Sequence, residues 1–210
     1  MTQKVLITGF GPFPRVPVNA SGALVGRLAV AARRRFPGAV ISSAVLPTEW
    51  WRGPRRAESA LLRARPDVAI HFGVSSRAEG FVIERRALNV CESSPDGAGE
   101  LPLAELLDPG GPKQRGSTLP VGAIVKRLWA LGLPATPSDD AGTYLCNAVL
   151  YTSLGLAAGS GRMTGFVHIP AVLAGGGASP LNARQALTGG LEIIGVCLAH
   201  VGAELAAVHR

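Results

Sequence analysis

The chain has 210 residues, 47% of them hydrophobic and 17% charged, enough apolar material for a sizeable core and too much for a disordered chain. Its 21 Lys and Arg against 14 Asp and Glu give a formal net charge of +7, which raises the question of a nucleic-acid partner. The basic residues nevertheless form short Arg groups (Arg33 to Arg35, Arg52 with Arg55 and Arg56, Arg85 with Arg86) without the interleaved aromatics of a base-stacking surface, so the expectation is no nucleic acid and solvated helix faces instead.

Lys4 to Phe10, KVLITGF, reads as a buried first strand, and the stretch from Asn19 to Phe36 as a helix capped by Asn19 or Ser21. AVISSAVLP is a second strand stopped by Pro47, and RRAESALLRAR a second helix ended by Pro66. DVAIHFGV is a continuous apolar run of the kind buried on both faces. FVIERRALNV is β-rich, and Cys91 to Leu119 reads as a long loop with two turn clusters, the kind of loop that covers a site or makes an oligomer contact. PVGAIVKRLWALG is a helix with Pro120 near its start and Gly132 at its end, followed by a helix from Cys146 to about Leu156. GFVHIP is a short strand, and the last helix carries the stripe Leu187, Leu191, Ile194 and Leu198 with Cys197 beside it. Alternating strands and helices without a linker give one α/β domain over residues 1–210, a three-layer α/β/α arrangement around a mostly parallel, partly mixed, twisted sheet.

Three widely spaced cysteines are an odd number and argue against a disulfide framework. No Cys-x-x-Cys or paired-His motif suggests a metal. The chain opens directly on a strand-like segment rather than a signal peptide, and no uncharged apolar run is long enough to span a bilayer. The expectation is a cytoplasmic location, no metal and no membrane.

Among candidate chemical groups, Cys146 stands where a loop turns into an apolar helix. There it is either a small buried hydrophobe, the better fit when it is read alone, or a thiolate favoured by the helix N-terminus. Cys91 and Cys197 read as structural. His168, at the exit of an apolar strand, is either a satisfied core residue or a group presented at the sheet's C-terminal edge, where α/β folds place their sites. His71 reads as packing or as support for a site, while His200 and His209 fit surface or helix-end roles. Glu84 lies within a strand-like run; its default is a surface carboxylate paired with an Arg, its alternative the acid that orients an imidazole. TGFG is too short a glycine pattern for a dinucleotide.

Four segments occur in one order: TGFGPF with Asn19-Ala20-Ser21 downstream, FVIERRALN, AGTYLCN and GFVHIP. Together they resemble the pyroglutamyl peptidase (pyrrolidone-carboxylate peptidase) family of cysteine peptidases, whose patterns look like T-G-F-x-P-F, I-x-x-E-R-x-A-x-N, A-G-x-[FY]-x-C-N and [GF]-F-[IV]-H-[VI]-P. The resemblance implies Cys146 as nucleophile, His168 as general base and Glu84 as the acid that orients it. It implies that Phe10, Phe13, Asn19, Thr48, Tyr144 and Leu145 lie around the lactam ring. The implied reaction is removal of an N-terminal pyroglutamyl residue from peptides through an acyl-enzyme, with no cofactor, by a homo-oligomer, dimer or tetramer. The alternatives are a cysteine hydrolase of another lactam or cyclic amide, and a non-catalytic basic binding protein. The chain departs from the family at the rim of the site. Pro14 and Arg15 stand where many members have Gly-Gly, and Ser75-Ser76-Arg77 where many have Gly-Gly-Arg. CESSPDGAG, Cys91 to Gly99, replaces an Arg-Ile-Pro-Asp-Asn run.

Overall fold

The computed structural model describes residues 2–14, 16–173 and 179–208, so Arg15 and His209 lie outside the described residues. The elements run β1 (Lys4–Phe10), α1 (Ala20–Arg35), β2 (Val40–Leu46), α2 (Arg52–Ala64), β3 (Val68–Ser75), β4 (Phe81–Glu84), β5 (Arg86–Leu88), β6 (Gln114–Gly116), α3 (Val121–Trp129), β7 (Ala135–Ser138), α4 (Leu145–Ala157), β8 (Met163–Pro170) and α5 (Ala183–Val208). Six strands form one sheet in the order β2-β1-β3-β8-β4-β7. β2, β1, β3 and β8 are mutually parallel, and β4 joins β8 in antiparallel sense with β7 parallel to β4. The expected mostly parallel, partly mixed sheet is therefore what forms.

Helices cover both faces. α1 and α3 both pack on α5 on one side, and α2 packs on α4 on the other. The period of two along each strand divides the core accordingly. Ile7, Ile70, Phe72, Ile83, Val167 and Ile169 join Leu24, Leu28, Ile124, Leu128, Ile193 and Ile194 in the larger cluster. Phe10 and Phe166 join Leu145, Val149, Leu150 and Leu154 in a second cluster under α4. The chain enters α1 with Asn19 as N-cap, its side chain accepting from the Ser21 amide. α2 ends at Arg65 in the left-handed conformation (φ 43°) before Pro66, and α3 is followed by Gly132 at φ 68°.

Four readings change. The run FVIERRALNV is not one strand: it breaks at Arg85, so that β4 enters the main sheet while β5 pairs with β6 in a separate two-stranded sheet. β6 lies inside the stretch read as loop, its three residues too few to show a period. β7 was not anticipated either, because ATPS carries Pro137, which a strand tolerates only at a sheet edge, where β7 lies. On α5 the innermost residues include Ala186, Ile193, Ile194 and Cys197; Leu187 and Leu191 are only partly buried, so Cys197 is central rather than beside the stripe. The segment Ala183–Ala203 is long and apolar enough to cross a membrane by length and composition, but here it supplies core residues against α1 and α3.

Candidate active site

The site forms at the C-terminal edge of β3 and β8, on the α2/α4 side of the sheet. On β8 the even-numbered residues face this side, which places His168 there with Phe166. β4 runs antiparallel beside it, with Val82 opposite His168 and Glu84 opposite Phe166. Glu84 therefore lies diagonally across from His168 on the same face, within reach of a long side chain. Its Oε1 is 2.8 Å from His168 Nδ1. Glu84 is 1% exposed, so the surface carboxylate expected by default is in fact a buried acid committed to an imidazole. The nearby Arg85 turns away to Asp139.

Cys146 comes from α4. The first bond of this helix that returns to Tyr144 is made by the Ala148 amide, so the amides of Leu145, Cys146 and Asn147 belong to the unsatisfied first turn. Asn147 locks this turn in place, accepting from the Leu88 amide and donating to the Leu88 and Val90 carbonyls. Burial alone would lower the His168 pKa. The charge and hydrogen bond of Cys146, with the hydrogen bond and charge of Glu84, override it and raise the group to about 10. The protonated form of His168 is therefore favoured, held between a sulfur and a carboxylate. The other thiols lack such a partner: burial pushes Cys197 up to about 12 and raises Cys91.

Gly73 makes this approach possible and was not singled out from the sequence. It is the register partner of His168 on β3. A Cβ built there would lie 2.5 Å from Phe166 Cζ and 3.0 Å from Cys146 Sγ. The absent side chain is the space in which the sulfur and the Phe166 ring sit. Nothing within HFGVSS signals this, because the constraint comes from residues more than seventy positions away.

Of the expected pocket residues, Phe10 is 3% exposed, with its ring 6.3 Å from that of Phe166, in the cluster on which Tyr144 and Cys146 pack. Phe13 and Thr48 meet around Gly97, whose amide donates to the Thr48 carbonyl, while Thr48 Oγ1 donates to the Pro12 carbonyl. Tyr144 stands edge-on to Trp50 at 4.9 Å and donates its hydroxyl to the Pro95 carbonyl. Leu145 turns inward at 2% exposure, its Cδ2 4.0 Å from where a Cβ on Gly53 of α2 would stand. Asn19 is 5% exposed and occupied by protein partners: beyond capping α1 it donates to the Gly11 carbonyl and so braces the loop before Phe13. Pro14 is exposed; Ser75 accepts from the Arg77 amide. Asp96, in the altered stretch, accepts from the amides of Trp50, Ala98 and Glu100; burial opposes its charge, but these bonds hold its pKa below the usual carboxylate value.

His71 lies on the same face, two residues before Gly73. Its Nδ1 is 2.7 Å from Thr8 Oγ1, and burial lowers its pKa to about 4, so it is neutral packing support. Among the described residues no cluster of three His, Cys, Asp or Glu is arranged to hold a metal ion.

The family model described as pyroglutamyl peptidase matches residues 3–176. The chain belongs to the pyroglutamyl peptidase family. It is 38% identical to pyrrolidone-carboxylate peptidase 1 of Ralstonia nicotianae over 195 residues, 90% of this chain and 89% of that one. It is 36% identical to the pyrrolidone-carboxylate peptidase of Pyrococcus furiosus over 171 residues, 80% of this chain and 81% of that one. The structure of a mutant pyrrolidone carboxyl peptidase from Pyrococcus furiosus superposes with a TM-score of 0.86 at 32% identity, covering 95% of this chain and all of that one. Pyroglutamyl peptidase I of Bacillus amyloliquefaciens gives 0.83 at 30% identity, covering 93% and 97%.

Proposed function

We propose that this member of the pyroglutamyl peptidase family removes the N-terminal pyroglutamyl residue from peptides, with Cys146 as nucleophile, His168 as general acid and base, and Glu84 as the residue that orients His168. The observation that carries the reading is the single imidazole between Glu84 Oε1, 2.8 Å from Nδ1, and the sulfur at the start of α4. In this reading the thiolate attacks the carbonyl carbon that joins the pyroglutamyl ring to the next residue. The first-turn amides of α4 stabilise the oxyanion. The tetrahedral adduct collapses as His168 delivers its proton to the leaving amine and the C–N bond breaks, leaving a thioester. Neutral His168 then takes a proton from water, hydroxide adds to the thioester, and the thiolate leaves with pyroglutamate as product.

Pyroglutamate has no free α-amino group, so its recognition rests on an apolar slot and a few hydrogen bonds rather than on charge. Phe10, Phe13, Thr48 and Tyr144 are proposed to form that slot. Asn19 acts through the loop it braces, and Leu145 through its position at the helix start. The reading takes residues 1–210 as one such domain. A homo-oligomer and a reducing cytoplasm, which suits three free thiols, complete it. Hydrolysis of a pyroglutamyl aminocoumarin amide by the wild type, lost in Cys146→Ala and on treatment with iodoacetamide, is the expected result. Full activity in Cys146→Ala rules the reading out.

A further inference from the structure

We propose that the cavity on the imidazole side of Cys146 receives the peptide that leaves, and that it selects a basic residue directly after the pyroglutamyl ring. This rests on the peptidase reading above. A cavity of about 500 Å³ opens onto Cys146 and His168, bounded by the ends of β3 and β4 and the loop from Ser138 to Thr143. Of the proposed ring wall, Phe10, Phe13 and Thr48 take no part in its lining, and Tyr144 stands between the two. A general acid must face the amine it protonates, so the chain on the far side of the scissile bond lies where His168 is, in this cavity.

The lining is acidic. Glu84, Glu92 and Asp140 contribute three carboxylates against the His168 imidazolium and the Arg77 guanidinium. Arg77 compensates weakly: its contact with Asp140 Oδ2 is 4.0 Å long, and both side chains are mostly in solvent. Glu92 is fixed at the rim by the Thr143 hydroxyl, 3.0 Å from Oε2, and by its own amide on the Thr143 carbonyl. Glu84 also lines the cavity, and its Oε2 is buried with no hydrogen-bond partner among the described residues. Tyr144, also in the lining, has its phenol pKa raised by burial first, then by Asp96 from outside the cavity, and then by Glu92 and Cys146 within it. A Lys or Arg side chain on the residue released as the new N-terminus meets this field favourably. An Asp or Glu there meets like charge within a partly enclosed space, where screening is weaker than in bulk solvent.

The test is competition among pyroglutamyl-Xaa-Ala amides with Lys, Ala or Glu at Xaa, followed by mass spectrometry of the released peptides. The expected kcat/KM ratio of Lys to Glu at low salt is about three- to tenfold. It shrinks toward one in high salt, falls in Asp140→Asn and Glu92→Gln, and rises in Arg77→Ala. A ratio at or below one, or a ratio that neither salt nor these variants move, overturns the subsite. The uncharged aminocoumarin substrate keeps the two ideas apart. If it is not cleaved, the peptidase reading fails; if it is cleaved while the Lys to Glu ratio stays at one, only the subsite fails.

Discussion

The two faces of one sheet differ sharply in what they bury. Toward α1, α3 and α5 the strands present Ile7, Ile70, Phe72, Ile83, Val167 and Ile169, all apolar and essentially inaccessible. Toward α2 and α4 the same strands present Thr8, His71, Gly73, Glu84, Phe166 and His168. The first face is a core in the ordinary sense. The second is buried as deeply but holds polar groups, which are tolerable there only when paired. Thr8 pairs with His71 and Glu84 with His168, yet His71 Nε2, Glu84 Oε2 and Ser153 Oγ lack partners among the described residues, and all three belong to this side of the sheet. The sheet therefore keeps an apolar core on one face and the proposed catalytic groups on the other, so neighbouring residues on a strand face opposite environments.

Among changes that leave Cys146 in place, the largest effect is expected from removing the Glu84 charge, which together with Cys146 holds the imidazolium. Glu84→Gln keeps an acceptor for Nδ1 but removes the negative charge. We expect kcat/KM to fall by about 10²-fold or more. The pH profile carries the sign: with His168 raised to about 10, its proton is lost only as the pH rises through that value, so the alkaline limb of the wild-type profile lies far above neutrality. In Glu84→Gln that limb moves to lower pH. An unmoved limb removes Glu84 from its orienting role.

Residues 72 and 73 set the two faces against each other directly. Gly73→Ala drives a methyl group into Phe166 and Cys146 Sγ. We expect kcat/KM to drop by about 10²-fold, with alkylation of Cys146 slowed, for a stability loss of about 1–3 kcal/mol. Phe72→Ala, one residue earlier and facing α1 and α5, is expected to lower stability by about 3–5 kcal/mol while the folded fraction keeps its kcat. Denaturant melts beside initial rates separate these outcomes. Loss of kcat in folded Phe72→Ala contradicts the division between the faces.

How far the sequence revealed this division depends on the residue. KVLITGF and DVAIHFGV were legible as buried strands, though not which side chains face which layer, as were the start of α1 at Asn19 or Ser21 and the end of α3 at Gly132. Cys146, Glu84 and His168 became candidates because each sits in a motif; their meeting rests on an antiparallel β4 inserted beside β8, which brings Glu84 to His168, and on the start of α4, which brings Cys146. Gly73 was invisible for the same reason: its role is defined by what crosses above it. β6 and β7 escaped notice because three or four residues, one of them proline, are too few to display a period.

A smaller effect distinguishes the two histidines on the polar face. His168 has its folded pKa raised above 6.5, so its contribution to stability is complete below that value and is lost as the pH rises through about 10. His71 has its pKa lowered by burial to about 4, so stability is complete above 6.5 and declines as the pH falls toward 4, by roughly 3 kcal/mol at 1.36 kcal/mol per pH unit. His71→Asn should flatten the decline between pH 6.5 and 4 measured by urea unfolding. An undiminished decline places the acid sensitivity elsewhere.

The measurement that bears most directly on the chemistry of the polar face is capture of the intermediate. Acid quench of the wild type during turnover of a pyroglutamyl aminocoumarin amide, followed by peptide mass mapping, should find a pyroglutamyl thioester on the peptide that contains Cys146. Turnover with no adduct at Cys146, or with the acyl group on Cys91 or another residue, contradicts the assignment of Cys146 as the nucleophile.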